Sequence, residues 1–443
     1  MREAQIVQTA AASDRSLVRA MTRWDLAALA INGIVGAGIF VLPSSAARLL
    51  GVLSPIAFVL CAAITYIVVL CFAEVASHFS HTGGPYLYAR EAFGSFAGFE
   101  IGWATWLGRV SSFAANTLVL VSYLAFLFPQ VGSGLGRALI LVAVPAGLTI
   151  INIRGVAAGA RFADVFAAVK IGALIFFAAV GIAFVDWGRL AADRTSFSAN
   201  ASWGQAILLL IYAFVGFEGA VVPAAEARNP RKDLASALML SLGVCAVIYV
   251  VVQIVALGTV RDLASSQRPL ADSARNFLGP AAGALMSLLV CISVLGNLSA
   301  SALGSPRITF ALAERGDFPA VFGRLHPVYR TPAVSIGFFG AVAAILALSG
   351  TFVWLATVSV VARLAGYLAT CLALPVLRKR SAEPQRKIKW GPAVSAAGAL
   401  LCVWLLTQAE SGDLRAFALA AAAGAVLYVA RKKFSSLAKE VQA

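Results

Sequence analysis

The chain has 443 residues, of which 60% are hydrophobic and only 12% charged, with a mean hydropathy of +0.87; ordinary soluble domains carry about 25% charged residues. That composition excludes a soluble globular protein and defines a membrane protein. The formal charge of +15 does not point to nucleic acid, because the cations lie mostly in short loops between apolar runs and no basic patch is interleaved with exposed aromatics.

Residues 1–23 have no apolar core and read as a polar cytoplasmic tail, not a signal peptide. Twelve apolar segments then follow, each long enough to span a bilayer: 24–49, 53–78, 96–127, 136–153, 156–184, 203–227, 234–260, 281–306, 332–349, 352–376, 391–408 and 413–430. The first contains NGIVGAGIFVLPSSAARLLG from Asn32 to Gly51, where Gly33, Gly36, Gly38 and Pro43 weaken a helix in mid-span. Unwinding at Gly36-Ala37-Gly38 would free backbone amides at the start of a second half-helix, a ready site for a carboxylate. The sixth is interrupted in the same way by FVGFEGAVVP, Phe214 to Pro223. Two interrupted segments in corresponding places of two halves point to a transporter's binding site.

An even number of spans puts both termini on one side. With the N-terminus inside, 24 of the 35 Lys and Arg fall in cytoplasmic tails and loops and 8 in outer loops, so the positive-inside rule makes both termini cytoplasmic. The remaining three, Arg109, Lys170 and Arg363, are inside spans. With Glu218 they lie about 17–22 Å from an end of their segment at about 1.5 Å per residue, near the midplane. A charge there costs roughly 2.5–3.5 kcal/mol on insertion scales and calls for a partner or a function. Glu74 and Glu100 fall near cytoplasmic ends, where hydration and salt bridging account for them.

The GAGIF pattern of span 1, the GGPYLYAREAFG loop at Gly83 to Gly94, FVGFEGA followed by EARNPRKDL, and SPRITFALAERGDFP at Ser305 to Pro319 together resemble the amino acid–polyamine–organocation permeases. The resemblance covers residues 24 to about 376. It implies an all-α membrane protein with a LeuT-type architecture. Residues 24–184 (spans 1–5) and 203–376 (spans 6–10) would be inverted repeats, 391–430 two extra helices, and 431–443 a cytoplasmic tail.

In such permeases the substrate α-carboxylate meets the amides of the broken span 1, here Gly36, Ala37, Gly38 and Ile39. The α-ammonium would meet carbonyls of Ile34, Phe214, Val215 and Phe217. Arg109, Tyr212, Phe214, Phe217, Glu218 and Ser301 are candidates to line the side-chain pocket, with plain packing the alternative for the aromatics; Arg109 would either pair with Glu218 and leave a neutral pocket or meet an acidic side chain directly. Several family members are similar to this chain in carrying a span-5 lysine where sodium-coupled relatives bind an ion. Lys170 would then contact span-1 carbonyls near Gly33 and a span-8 hydroxyl such as Ser299. A lysine held out of water is a candidate proton carrier, with Glu218 a second one.

Other motifs carry less. Gly36-Ala37-Gly38 follows no strand and lacks a third spaced glycine, so it is not a dinucleotide fingerprint. Gly94, Gly98 and Gly102 form a small-residue ridge suited to helix packing. The six cysteines fall in spans without CxxC spacing and read as reduced apolar filler, and the three histidines are isolated. No cofactor is expected, and nothing fixes an oligomeric state. The expected partners are a small amino acid, protons and the lipid bilayer of the cell membrane. The expected activity is proton-coupled permeation favouring neutral substrates. The alternatives are an exchanger for acidic or cationic amino acids, a non-transporting nutrient sensor, and an intramembrane enzyme, which lacks the companions that Glu218 or Lys170 would need.

Overall fold

The structure is a computed structural model that describes residues 22–79, 84–155, 159–193, 202–221, 230–380 and 388–440. The tail before Thr22, Gly83, residues 222–229 with Pro223 and the first part of EARNPRKDL, and Arg386 and Lys387 lie outside the described residues. Every regular element among those described is helical.

Thr22 opens the first helix with a capping box: its hydroxyl accepts from the Asp25 amide at 3.3 Å, and the Asp25 carboxylate accepts from the Thr22 amide at 2.8 Å. That helix, α1 (Arg23–Ile34), stops mid-span, and α2 (Gly38–Leu50) resumes after Val35, Gly36 and Ala37. Next come α3 (Ser54–Ala76), a short α4 (Pro85–Phe93), α5 (Ser95–Leu127), α6 (Gly134–Ile153), α7 (Gly159–Gly181) and a short α8 (Trp187–Asp193). The second interruption divides α9 (Trp203–Phe214) from α10 (Glu218–Val221). The rest of the chain forms α11 (Pro230–Thr259), α12 (Pro269–Leu278), α13 (Pro280–Gly304), α14 (Pro306–Glu314), α15 (Ala333–Ser349), α16 (Phe352–Arg380), α17 (Gly391–Thr407) and α18 (Ser411–Glu440).

Among the described residues, each expected apolar segment falls on a helix or a pair of half-helices; residues 156–158 and 222–227 of two segments lie outside them. Seven helical stretches among the described residues are long and apolar enough to cross a bilayer, and four more apolar helices are shorter. The core sits where α5 runs along α16 and α13, with α9 against α2 and α3, and α11 against α1 and α3. The last two helices pack outside this centre, α17 on α16 and α3, α18 on α16 and α5. All six cysteines are buried and unpaired by disulfides.

The glycine ridge has a local purpose. A Cβ on Gly98 would stand 2.6 Å from Cβ of Arg90, and one on Gly102 3.2 Å from the Tyr86 ring, so the ridge seats α4 against the start of α5. The pattern recurs at α12. Arg90, Gly94 and Gly98 stand four residues apart, and so do Arg275, Gly279 and Gly283. Gly94 (φ 95°, ψ 177°) and Gly279 (φ 87°, ψ −179°) make the same turn into the long helix. A Cβ on Gly283 would stand 2.9 Å from Cβ of Arg275.

Candidate functional site

The two interruptions touch. A Cβ on Gly33 would stand 2.5 Å from the Gly216 carbonyl oxygen, and one on Gly216 would come still closer to that of Gly33. Gly216 also has φ 111°, a conformation open to glycine and strained for other residues. Only two side-chain-free residues let the backbones meet here.

Beside this contact lies a cavity of about 200 Å³. Gly33, Ile34, Gly36, Ala37 and Gly38 line it from the first break and Val215, Gly216 and Glu218 from the second. Tyr212 enters from α9, Arg109, Ser112 and Asn116 from α5, Asn297 and Ser301 from α13, and Arg363 from α16. At about 30 Å³ per water this is space for about seven waters, the scale of one small molecule.

The backbone supplies opposite partial charges at the two breaks. The α2 N-cap, Ala37, has no side-chain cap, and the amides of Ala37, Gly38 and Ile39 find no acceptor among the described residues. They form the positive end of a helix facing the cavity. The carbonyls of Phe214 and Val215, where α9 ends, receive no donor among the described residues. Two expected groups are already engaged. The Gly36 amide donates to the Ile34 carbonyl at 2.7 Å, and Tyr249 donates to that same oxygen at 3.1 Å, so both its lone pairs are taken. The Phe217 carbonyl accepts from the Ala220 amide at 3.0 Å.

The side chains correct several expectations. Glu218 does not pair with Arg109. Its Oε1 accepts from the Arg363 guanidinium, while Oε2 accepts from the Gly216 amide at 2.9 Å and the Tyr367 hydroxyl at 3.3 Å. The span-10 arginine lies on the α16 face that meets α5 and reaches Glu218 first. Phe214 and Phe217 do not line the cavity. Phe214 packs on Phe58 and Tyr249, and Phe217 on Phe72 and Tyr367, where their apolar rings are kept from the polar pocket. Ile39 is fully buried and is not among the residues that line the cavity.

Lys170, 2% exposed on α7, donates to the Asn32 carbonyl at 2.6 Å, one residue before Gly33. It stands behind the break and does not line the cavity, and Ser299 makes no hydrogen bond to it. Ser301 lines the cavity and bonds to Ser305 at 3.2 Å. Glu74 is fully buried and paired with Arg378 (Nη2 to Oε2 2.8 Å), and it also accepts from the Ile388 amide at 2.9 Å. Salt bridging thus accounts for it without hydration. Glu100 has no cation within salt-bridge reach among the described residues, and its Oε1 is unpartnered.

A row of amides and hydroxyls completes the wall. Ser112 donates to the Tyr212 hydroxyl at 3.0 Å, Tyr212 to Asn116 Oδ1 at 2.8 Å, and Asn116 Nδ2 to Asn297 Oδ1 at 2.8 Å. Sequence reasoning missed Asn116, Asn297 and Arg363 as site residues. Two side-chain amides in apolar spans were the available signal, since a polar group there needs partners.

Apolar helices, two of them broken against each other around a small polar cavity, define a multi-pass membrane transporter, not an enzyme. The chain belongs to the amino acid permease family, whose sequence model matches residues 21–420. Three Bacillus subtilis proteins are similar to it. A methylthioribose transporter is 26% identical over 97% of this chain and 96% of its own. A branched-chain amino acid permease is 27% identical over 90% and 89%, and a serine/threonine exchanger 28% identical over 81% and 83%.

Proposed function

We propose that this chain carries amino acids across the cytoplasmic membrane in symport with protons, binding them between the two broken helices. The unengaged amides of Ala37 and Gly38 at the cavity, followed in the same turn by that of Ile39, carry this reading. They would take the α-carboxylate, while the Val215 carbonyl at the cavity wall would take the α-ammonium. Backbone recognition of this kind reads the amino acid class, in keeping with relatives named for branched-chain amino acids and for serine and threonine. The expected preference for neutral side chains needed Arg109 to be cancelled by Glu218. With Glu218 held by Arg363, that basis is gone.

We place both termini in the cytoplasm on the distribution of Lys and Arg, and read twelve spans as two inverted repeats followed by two extra helices. Helix packing supports the repeat. Exchanging each of the first five segments with its counterpart five later turns α3–α11, α5–α13 and α6–α15 into themselves, α1–α11 into α9–α3, and α5–α16 into α13–α7, and all these pairs are in contact. The matching turns at α4 and α12 support it again.

Lys170 is the proposed proton carrier. Its bond to the Asn32 carbonyl ties its charge to the first break, so protonation would bias the position of α1. Uptake of labelled amino acids into proteoliposomes, with and without an inward pH gradient, tests both parts. Substrate should accumulate with the gradient, and Lys170→Ala should lose accumulation or its pH dependence. A variant that concentrates substrate with an unchanged response makes Lys170 a structural tie.

A further inference from the structure

Resting on the transport function proposed above, we propose that Arg109 forms a second anion subsite in the cavity, so that the preferred substrate is an amino acid with a carboxylate on its side chain. The Arg109 guanidinium enters the cavity from α5 beside Gly304, where an added Cβ would stand 3.7 Å from Nη1. Its Nε is buried without an acceptor, and no carboxylate among the described residues lies within salt-bridge distance. An arginine keeps its proton in proteins and offers five N–H donors in a planar fork. The charge is therefore permanent, and among the described residues its hydrogen bonds are unmade.

The neighbours do not supply the missing anion. Both Glu218 oxygens are engaged, by Arg363 on one side and by the Gly216 amide and Tyr367 on the other. The Tyr212, Asn116 and Asn297 side chains are bonded to one another, and all three are neutral. Two guanidiniums and one carboxylate leave the cavity with one positive charge. A zwitterion leaves that charge unchanged and a cationic substrate doubles it. Only a net anionic substrate closes the balance, with its α-carboxylate on the α2 amides and its second carboxylate on the Arg109 fork. The two anion positions come from different helices, and a cavity of about 200 Å³ spans them with one small molecule.

The full-length protein in chloride-free gluconate buffer at neutral pH would be tested for binding of two near-isosteric pairs, glutamate against glutamine and aspartate against asparagine. The wild type should bind the acidic member at least about tenfold more tightly, the scale of one charge-assisted contact. Arg109→Gln should weaken glutamate binding far more than glutamine binding and so erase that gap, and should raise the melting temperature of the ligand-free protein by removing an uncompensated charge. Equal binding within each pair overturns the proposal but spares the transport function. So does an Arg109→Gln variant that weakens glutamate and glutamine alike, because the arginine would then read the α-carboxylate, or one that melts lower, because its role would then be structural. Absence of binding and flux for every amino acid tested overturns both.

Discussion

A methyl group added at Gly36 and one added at Gly38 have different consequences, and the difference selects the cleaner test of the α2 amides. At Gly38 a Cβ would stand 3.0 Å from the Tyr212 ring and 3.2 Å from Cα of Ala213, so Gly38→Val forces α2 away from α9 and disturbs packing as well as binding. At Gly36 the nearest atom outside the turn is Asn297 Nδ2 at 3.6 Å, an ordinary contact. Gly36→Ala should therefore fold normally, intrude on the cavity and weaken amino acid binding about tenfold, the scale of one hydrogen bond to a charge; unchanged affinity in a titration would remove the α2 amides from the site. Glu218→Gln should act on stability. It leaves Arg363 without its counter-charge, a loss of about 3–5 kcal/mol for a buried pair, while Glu218→Gln with Arg363→Met should recover much of it, as thermal unfolding in detergent would show. The glycine breaks were legible in the sequence because a backbone requirement is written in residue type. The partner of Glu218 was not, since that depends on how α16 is rotated against α5, and spacing along the chain carries no record of it.

At the scale of elements, the matching turns at α4 and α12 make a topological prediction. If the two halves are inverted repeats, α4 lies at the cytoplasmic face and α12 at the outer face. Glu91 and Arg275 are both exposed, and every native cysteine is buried. In intact cells, Arg275→Cys should react with a membrane-impermeant maleimide and Glu91→Cys only after lysis; labelling of both from one side would abolish the inversion. The two glycines one turn into α5 and α13 should be equally intolerant. Gly98→Leu and Gly283→Leu each drive a side chain into the arginine stem packed across it, and overpacking of this kind costs about 1–3 kcal/mol, readable as a lower melting temperature for both. The Arg-Gly-Gly spacing was present in the sequence. It escaped notice because hydropathy alone sets neither element apart from an ordinary polar loop, and three shared residues carry weight only once the matching dihedral angles of Gly94 and Gly279 are seen.

Across the whole molecule, Asp317 gathers distant parts of the chain. It is 1% exposed and accepts from Arg90 of α4 at 3.1 Å and from Lys432 of α18 at 3.3 Å, so the last helix is fastened to the same carboxylate as the first half of the chain. Asp317→Asn should cost about 1.5–3 kcal/mol, the range for hydrogen bonds to charged groups, and a melting temperature equal to wild type would show the fastening to be idle. The Gly33–Gly216 contact bears on how such a molecule can move. Packed helices usually meet as ridges in grooves, and sliding them means lifting side chains out of register and changing rotamers. Where two bare backbones meet there are no ridges to disengage and no rotamers to exchange. The crossing of the two broken segments is therefore a plain bearing, which can turn without a ratchet step, and its clearance is set by the absence of two methyl groups.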